Sequence, residues 1–460
     1  MTQRAASLLI LGASGDLSSR LLMPGLGELL AADASLDLQL IGAGVEEYTA
    51  DEWRARVSQA FSGADDTGGA IARAIEKSRY LTADVTTSAD MQRLLDACEH
   101  PPAIYFALPP AITVRSCEAL RELDLPDGVS LALEKPFGTD EASARSLNAL
   151  LRGLVPENRV QRVDHFLGRS TVLNLLGLRF ANRIFEPLWN NRHVESVEIV
   201  YDEQLALENR ARYYDRAGAL TDMIQSHLLQ VLAVFAMEPP TTLDAVDVRD
   251  AKGILLRSTR LWGGDPVAAA RRARYTAGDL DGRSLPSYAD EEGVDPARKT
   301  ETLAELTVEV ANWRWAGVPF LLRSGKALGA RRREILVTFK PAPHIPEGLE
   351  GTALPDRLRI SLSPDELALE INVNGPGDPD FIDRVSLDVG FQSGKLPAYG
   401  EVLQGIIKGD PTLAVRGDTA EQCWHIIEPV IAAWRADETP LDEYPAGSNG
   451  PTSWTGLPGV

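Results

Sequence analysis

The strongest constraint on the fold of this 460-residue chain lies near its start. Residues 7–11 form a short apolar run of strand length, and the glycine-bearing stretch 12–16 follows it directly. From Leu17 to Leu30, leucines recur at helical spacing. A strand, a tight turn and a helix in this order can present backbone N–H groups and the positive end of the helix dipole to a pyrophosphate. The turn has two glycines and lacks the first close pair of the dinucleotide fingerprint, so an ordinary strand-to-helix turn fits it equally well.

The same alternation of short apolar runs and helical stretches continues along the first third of the chain, with further runs at 38–42, 103–108 and 129–133. This spacing predicts a parallel sheet with crossover helices. Beyond about residue 170, longer stretches of alternating polarity predict a largely antiparallel sheet; they lie at 196–201, 305–310, 335–340 and 358–363. We therefore predict an α/β domain over 1–168 and a β+α domain with a large, mainly antiparallel sheet over 169–460.

Two stretches predict irregular structure. Residues 260–299 are rich in charge, glycine and proline, which favours a long surface excursion. The tail after Pro440 contains glycine, serine and proline and is predicted to be loosely ordered.

Composition limits the classes of partner. The 66 acidic against 46 basic residues give a formal net charge of -20, which opposes binding to nucleic-acid phosphates and anionic lipid. The apolar run at 228–237 is too short to span a membrane, and the first residues lack the pattern of a secretory signal. Cys98, Cys117 and Cys423 are far apart and fit no metal-ligand spacing. We expect a cytoplasmic protein with reduced thiols, no metal, and neither nucleic acid nor membrane as a partner.

A second candidate for chemistry lies at residues 162–169. Here Asp164 precedes His165, and Arg169 follows four residues later. An aspartate can hold an imidazole in one tautomer, while a histidine and an arginine one turn apart can grip an anion. Taken alone, an exposed loop with a local ion pair explains the motif equally well.

Several separated motifs together resemble the bacterial glucose-6-phosphate dehydrogenase family over nearly the whole chain. They occur in the family's order, at residues 12–17, 134–138, 163–168, 178–182, 213–215, 218–220, 222–227, 318–320 and 323–326. The resemblance implies a Rossmann-type N-terminal domain and assembly as a homodimer or homotetramer. It implies oxidation of glucose 6-phosphate at C1 to 6-phosphogluconolactone, with hydride transfer to NAD or NADP.

The resemblance also assigns roles to residues. His227 matches the family's base for the C1 hydroxyl proton, and Asp164 matches the carboxylate that supports the imidazolium. Without the resemblance, His227 reads as a core histidine of a helix over 222–235. The other matching positions are substrate contacts and coenzyme contacts. The phosphate contacts are His165 and Arg169, with Arg331 as a further anion contact, and the sugar contacts are Glu203, Asp222 and Lys326. Lys135 contacts both substrate and coenzyme. The coenzyme contacts are Gly12, Ser14, Gly15, Asp16, Leu17, Val45, Glu46 and Pro109.

The anion motif departs from the family pattern. Phe166 stands where the family commonly has tyrosine, and Arg169 replaces a lysine, which exchanges a point charge for a rigid fork of donors. These changes leave open an NAD-dependent dehydrogenase of another anionic hexose, such as sulfoquinovose. A catalytically degenerate regulatory paralogue is a further alternative, although retention of Asp164, His227 and Lys326 argues against it.

The coenzyme loop departs as well. Val45 stands where the family often has the arginine that pairs with the 2′-phosphate of NADP, and Glu46 and Glu47 follow it. Leu21 also replaces a frequent cation. Carboxylates repel a 2′-phosphate and can accept from a ribose hydroxyl. The family favours NADP, whereas the local charges favour NAD, so both coenzymes stay open.

Overall fold

The fold is described from a computed structural model, which covers residues 4–208, 211–375, 377, 380–391, 394 and 396–460. It forms two compact units. Unit 1 consists of Met1–Arg169, Pro240–Gly253 and Gly394–Glu421. Unit 2 consists of Ser170–Pro239, Ile254–Ser393 and Gln422–Val460.

The strands fall into two main sheets and one small hairpin. In chain order they are β1 Arg4–Leu11, β2 Leu36–Gly44, β3 Arg79–Thr82, β4 Ala103–Phe106, β5 Ser130–Glu134, β6 Val160–Val163, β7 Val194–Asp202, β8 Thr259–Leu261, β9 Ala270–Thr276, β10 Gly278–Leu280, β11 Arg283–Leu285, β12 Leu303–Val310, β13 Pro319–Gly325, β14 Arg333–Phe339, β15 Arg357–Ser361, β16 Glu366–Asn374, β17 Ile382–Gly390 and β18 Leu441–Pro445.

The α-helices are, in chain order, α1 Met23–Ala32, α2 Ala50–Phe61, α3 Ala70–Lys77, α4 Ser88–Asp96, α5 Pro110–Arg121, α6 Glu141–Arg152, α7 Ser170–Phe180, α8 Ala211–Ala219, α9 Leu229–Ala236, α10 Ala245–Arg257, α11 Ala398–Lys408 and α12 Gly417–Arg435. Two segments, Ser18–Leu22 and Leu220–Leu228, are π-helical. Short 3₁₀ turns lie at Glu157–Arg159, Glu186–Leu188, Trp262–Gly264, Tyr288–Asp290 and Pro296–Arg298.

Unit 1 is built on a parallel sheet with the strand order β3-β2-β1-β4-β5-β6. This is the order of a dinucleotide-binding fold, in which ligands bind beyond the carboxyl ends of the strands where the order reverses. β1 lies at that reversal, and its register pairs Leu11 with Ala43 and with Phe106. The predicted Rossmann-type domain is confirmed.

Unit 2 is built on a large sheet with the order β17-β16-β15-β14-β7-β13-β12-β9-β18, and β8 pairs with β12. Most pairs are antiparallel, but β7 pairs with β13 and β9 with β18 in parallel. The predicted mainly antiparallel sheet is confirmed. The two parallel pairs were not anticipated, because they join strands far apart in the chain.

The prediction of a surface excursion over 260–299 is wrong. β9 lies within the main sheet, and Tyr275 and Tyr288 are buried. The charge of this stretch does not indicate exposure, because Arg272 is buried together with Ala270 and Ala273. The predicted loose order after Pro440 is also wrong, because β18 pairs with β9 and Tyr444 is fully buried.

The domains were predicted over 1–168 and 169–460, and the first division between the two compact units falls between Arg169 and Ser170. The prediction did not foresee that 240–253 and 394–421 pack with unit 1. The segment 394–421 is held in unit 1 in part by an isolated antiparallel β-bridge between Arg162 and Val415. Local patterns carry no signal for such long-range pairing.

The helical run Tyr213–Ala236 is long and apolar enough to cross a membrane by length and composition, with 83% of its most apolar window buried inside the protein. Buried core helices of soluble proteins pass the same test. The run therefore adds little support for a membrane span.

Candidate active site

The turn after β1 has the geometry of a phosphate-binding turn. Gly12 adopts a φ of 81°, and a Cβ built on it would come 2.4 Å from the Ala107 carbonyl oxygen, so only glycine fits. A helix begins directly after Gly15 with Asp16 and Leu17. Close approach of the backbone and a helix N-terminus at one point suit a pyrophosphate.

Pro109 is the N-cap of α5, which follows β4. Because β4 pairs in parallel with β1, both turns lie beyond the carboxyl ends of adjacent strands. The residues predicted for the coenzyme around the two turns are thus brought to one edge of the sheet.

Glu46 lies at the end of β2, beside the same turn. Its Oε2 accepts from the Ser14 hydroxyl at 2.6 Å. This hydrogen bond is the main reason why the pKa of Glu46 lies below its usual value. Glu46 is therefore ionised at neutral pH. Val45 is 72% exposed, so the position where the family often has arginine faces solvent.

Arg56, on α2, was missed from the sequence. Its Nη2 donates to the Ser14 carbonyl at 2.7 Å, and its charge contributes to the lowered pKa of Glu46. Arg56 is 42 residues from Ser14 in sequence, and no motif relates them. The coenzyme edge therefore contains one cation that the loop sequence does not reveal.

The Asp164 motif is a compact turn after β6. Oδ1 of Asp164 accepts from the Phe166 N–H at 2.9 Å, and the Asp164 carbonyl accepts from the Leu167 N–H at 3.1 Å. The imidazole of His165 stacks on Tyr399, with ring centroids 5.5 Å apart and planes at 13°. The turn thus fixes the backbone on both sides of His165.

Arg169 is held by Phe166. The guanidinium carbon lies 4.4 Å from the centroid of the Phe166 ring, and Phe166 is 3% exposed. A guanidinium stacks on an aromatic face better than an ammonium does. The two departures from the family pattern are therefore linked, since the phenylalanine supports the arginine.

Lys135 follows Glu134 at the end of β5. The Glu134 carboxylate accepts from the Tyr105 hydroxyl and, at 3.3 Å, from the Tyr399 hydroxyl. Burial raises the pKa of Glu134. Tyr399, from the returning segment of unit 1, therefore contacts both the carboxylate next to Lys135 and the ring of His165.

In unit 2, Glu203 and Lys326 form a close ion pair. Lys326 Nζ donates to Glu203 Oε2 at 2.6 Å and lies 5.1 Å from the centroid of the Tyr214 ring. Arg333 also approaches Glu203, with 4.0 Å between its Nη2 and Oε1 of Glu203. Arg331 is exposed and donates to Ser363 at 3.4 Å.

Asp222 and His227 lie on the π-helical segment Leu220–Leu228, not on the regular helix predicted over 222–235. In an α-helix, residues five apart point about 140° away from each other. A π-helix closes its hydrogen bonds from i to i+5, which places such residues on one face. Asp222 accepts from the Tyr213 hydroxyl at 3.1 Å, and His227 is 1% exposed.

Glu301 was also missed from the sequence. It is 7% exposed, and its Oε1 accepts from the Leu220 N–H at 2.9 Å, at the start of the π-helical segment. Burial raises the pKa of Glu301 to about 7. Glu301 lies just after the stretch 260–299, which was predicted to form a surface excursion, and no local pattern indicated its burial.

Family comparisons agree with this geometry. The family model for the glucose-6-phosphate dehydrogenase NAD binding domain matches residues 9–174, and the model for the C-terminal domain matches residues 176–457. Glucose-6-phosphate 1-dehydrogenase of Treponema pallidum is 38% identical, over 96% of this chain and 92% of the relative. That of Zymomonas mobilis is 38% identical, over 98% of this chain and 97% of the relative.

Solved structures give the same result. The Mycobacterium avium glucose-6-phosphate 1-dehydrogenase superposes with a TM-score of 0.85 at 32% identity, covering 98% of this chain and 96% of that chain. A glucose-6-phosphate dehydrogenase in complex with glucose 6-phosphate superposes with a TM-score of 0.86 at 28% identity, covering 98% and 97%.

The fold and the site define an oxidoreductase that acts on a CH–OH group and binds a nicotinamide dinucleotide. The chain belongs to the glucose-6-phosphate dehydrogenase family.

The raised pKa of Glu301 predicts a pH-dependent stability. Its folded pKa is about 7 against an ordinary 4.5, so the folded protein retains a proton there that the unfolded chain releases. Ionisation of Glu301 therefore costs stability above pH 7, and the cost disappears as the pH falls through 4.5. We expect Glu301→Gln, which cannot ionise, to gain about 1 to 3 kcal/mol in free energy of unfolding at pH 8 relative to its effect at pH 4.5. Urea unfolding at both pH values measures this, and a difference independent of pH would contradict it.

Proposed function

We propose that this protein oxidises glucose 6-phosphate at C1 to 6-phosphogluconolactone and passes the hydride to a nicotinamide dinucleotide. The observation that supports it most is the π-helical segment that puts Asp222 and His227 on one face, in a chain that belongs to this family throughout its length. The two alternatives, a dehydrogenase of another anionic hexose and a degenerate regulatory paralogue, gain no support from the comparisons.

His227 is proposed as the base. As the C1–H bond breaks and the hydride leaves, the C1 hydroxyl loses its proton to the imidazole, and the C1=O bond of the lactone forms. When bound, the coenzyme supplies the hydride acceptor. Asp164 is proposed to stabilise the imidazolium.

The other charged residues are proposed to position the sugar. Glu203 and Asp222 offer carboxylate oxygens to sugar hydroxyls, and Lys326 offers donors beside them. His165 and Arg169 are proposed to bind the phosphate, and the fixed backbone of the turn and the Phe166 ring hold them in place before binding. Lys135 is proposed to lie at both substrate and coenzyme.

For the coenzyme, we propose that NAD is used at least as well as NADP. Ionised Glu46 next to the phosphate turn repels a 2′-phosphate and can accept from a ribose hydroxyl. Arg56 is the cation that opposes this preference.

Assembly as a homodimer or homotetramer and a cytoplasmic location rest on the resemblance and on composition alone, and they stay predictions.

The role of His227 predicts the result of one substitution. His227→Asn should lower kcat by about 100- to 10,000-fold, the usual contribution of a general base, and leave KM for glucose 6-phosphate nearly unchanged. Asp164→Asn should lower kcat less. Steady-state rates of coenzyme reduction measure both effects. The exposed His344→Asn serves as a control, and near-normal turnover by His227→Asn would exclude His227 as the base.

The role of Arg169 predicts a dependence on the substrate anion. Arg169→Ala should raise KM for glucose 6-phosphate by about 10- to 100-fold, because a charge-assisted contact is lost. It should change the poor oxidation of free glucose much less. Arg183→Ala, an exposed arginine paired with Glu186, is the matched control. Assays with sulfoquinovose test the other hexose, and equal efficiency of the wild type on free glucose would show that these residues bind no anion.

The coenzyme proposal predicts two opposite shifts. Val45→Arg with Glu46→Gln adds a donor and removes a repulsion, and it should move the kcat/KM ratio toward NADP by about 1 to 3 kcal/mol. Arg56→Gln should move the ratio toward NAD. Rates with both coenzymes measure the ratio. A wild type strongly selective for NADP, unchanged by the double substitution, would show that this loop does not contact the ribose.

A further inference from the structure

The N-terminal end of the π-helical segment with Asp222 and His227 has no capping side chain of its own. Gly218, at φ 66° and ψ 175°, interrupts the helical backbone just before the segment begins. Ala219 is the N-cap, and its side chain makes no capping hydrogen bond. The first N–H groups of a helix have no partners within it. The groups that accept from these N–H groups therefore fix the direction in which the segment starts.

Glu301 provides these acceptors from another part of unit 2. Its side-chain Oε1 accepts from the Leu220 N–H at 2.9 Å, and its backbone carbonyl accepts from the Ala219 N–H at 3.4 Å. The carboxylate also lies against Gly218, since a Cβ built there would come 2.2 Å from Oε1. Gly218 thus meets two requirements at once, a positive φ and room for the carboxylate.

We propose that Glu301 is a positioning residue, whose buried side chain fixes the N-terminal end of the segment and so sets where Asp222 and His227 meet the sugar. The proposal rests on the proposed function for the roles of those two residues. Glu301 itself contacts the backbone of the segment and acts through it.

The surroundings of Glu301 support this role. Three groups interact with its charge: Arg272 from β9, Tyr214 from α8, and Tyr288. Arg272 donates to the Thr439 carbonyl at 2.8 Å and approaches Asp437 at 3.4 Å, so its own hydrogen bonds go elsewhere. Oε1 of Glu301 instead accepts from the Leu220 N–H at the start of the segment.

The helical stretch that begins at Leu220 ends with α9 at Ala236, and this end is also held by a side chain from outside the stretch. The Arg179 guanidinium, 6% exposed, donates to the carbonyl oxygens of Val234 at 2.7 Å and Met237 at 2.5 Å, at the end of α9. A cation at the C-terminal end of a helix matches the helix dipole. The stretch is therefore fixed at both ends by buried side chains from outside it.

Two substitutions separate hydrogen-bond acceptance from bulk. Glu301→Met keeps the length of the side chain but cannot accept from Leu220, whereas the oxygen of Glu301→Gln can. We expect the Met variant to lose about 10- to 100-fold in kcat, with KM for glucose 6-phosphate and coenzyme within about threefold of wild type, because a small misplacement of the base slows the chemical step. We expect the Gln variant to retain kcat within about threefold.

The matched control is Glu334, which is also 7% exposed and pairs with Arg332 and Arg359 on the sheet. Glu334→Met and Glu334→Gln should have the same kcat as each other. If Glu301→Met does not fold, Glu301→Asp replaces it, since its carboxylate is one methylene too short to reach Leu220; a wild-type kcat for either variant overturns the proposal. Equal losses in the Met and Gln variants of Glu301 would also overturn it, because charge alone would then be responsible.

Amide hydrogen exchange of residues 218–228, measured without substrate, separates this proposal from the proposed function. Faster exchange in Glu301→Met than in Glu301→Gln supports the proposal that Glu301 fixes the N-terminal end of the segment. Equal exchange in the two variants overturns the proposal. If His227→Asn keeps normal turnover, the role of His227 as the base is wrong, while the exchange result still decides whether Glu301 holds the segment.

Discussion

The ion pair between Glu203 and Lys326 in unit 2 depends on one strand pairing, that of β7 with β13. The two strands run parallel inside a mainly antiparallel sheet, and their register pairs Asp202 with Gly325. The next residue on each strand is Glu203 and Lys326, so the pairing creates the ion pair between them. β12 pairs antiparallel on the other side of β13, which puts the Thr302 carbonyl against the Lys326 N–H at 2.9 Å and places Glu301 next to this region. A slip of one residue would turn every side chain to the opposite face and dismantle the group.

The charges of unit 2 are organised before any ligand binds. Glu203 pairs with Lys326, Asp222 accepts from Tyr213, and Glu301 accepts from Leu220. Buried charges without such partners would cost several kcal/mol each. The Tyr444 hydroxyl donates to the Lys326 carbonyl at 2.7 Å, so the backbone of Lys326 is held as well as its side chain. In the role proposed for these groups, the fixed geometry means that less order has to be gained when the sugar binds.

Unit 1 follows a different principle. There the parallel register of β1 with β2 and β4 brings Gly12, Glu46 and Pro109 to one edge, in the loops that follow these strands. Glu46 accepts from the Ser14 hydroxyl, so an ionised carboxylate lies just after β2 and beside the turn that follows β1. Arg56 reaches the same turn from α2, where it donates to the Ser14 carbonyl.

The sequence by itself determined the local elements and the motifs. Apolar runs predicted β1, β2, β4 and β5, and stretches of alternating polarity predicted β7, β12, β14 and β15. The motifs identified the family and named His227, Asp164 and Lys326. These features depend on neighbouring residues, so a local pattern reveals them. Only the tertiary structure decided that β9 and β18 complete the sheet, that Leu220–Leu228 is π-helical, and that Arg56 and Glu301 join their sites. Each of these depends on contacts between residues far apart in the chain, whose energy comes from packing and from hydrogen bonds that no local pattern records.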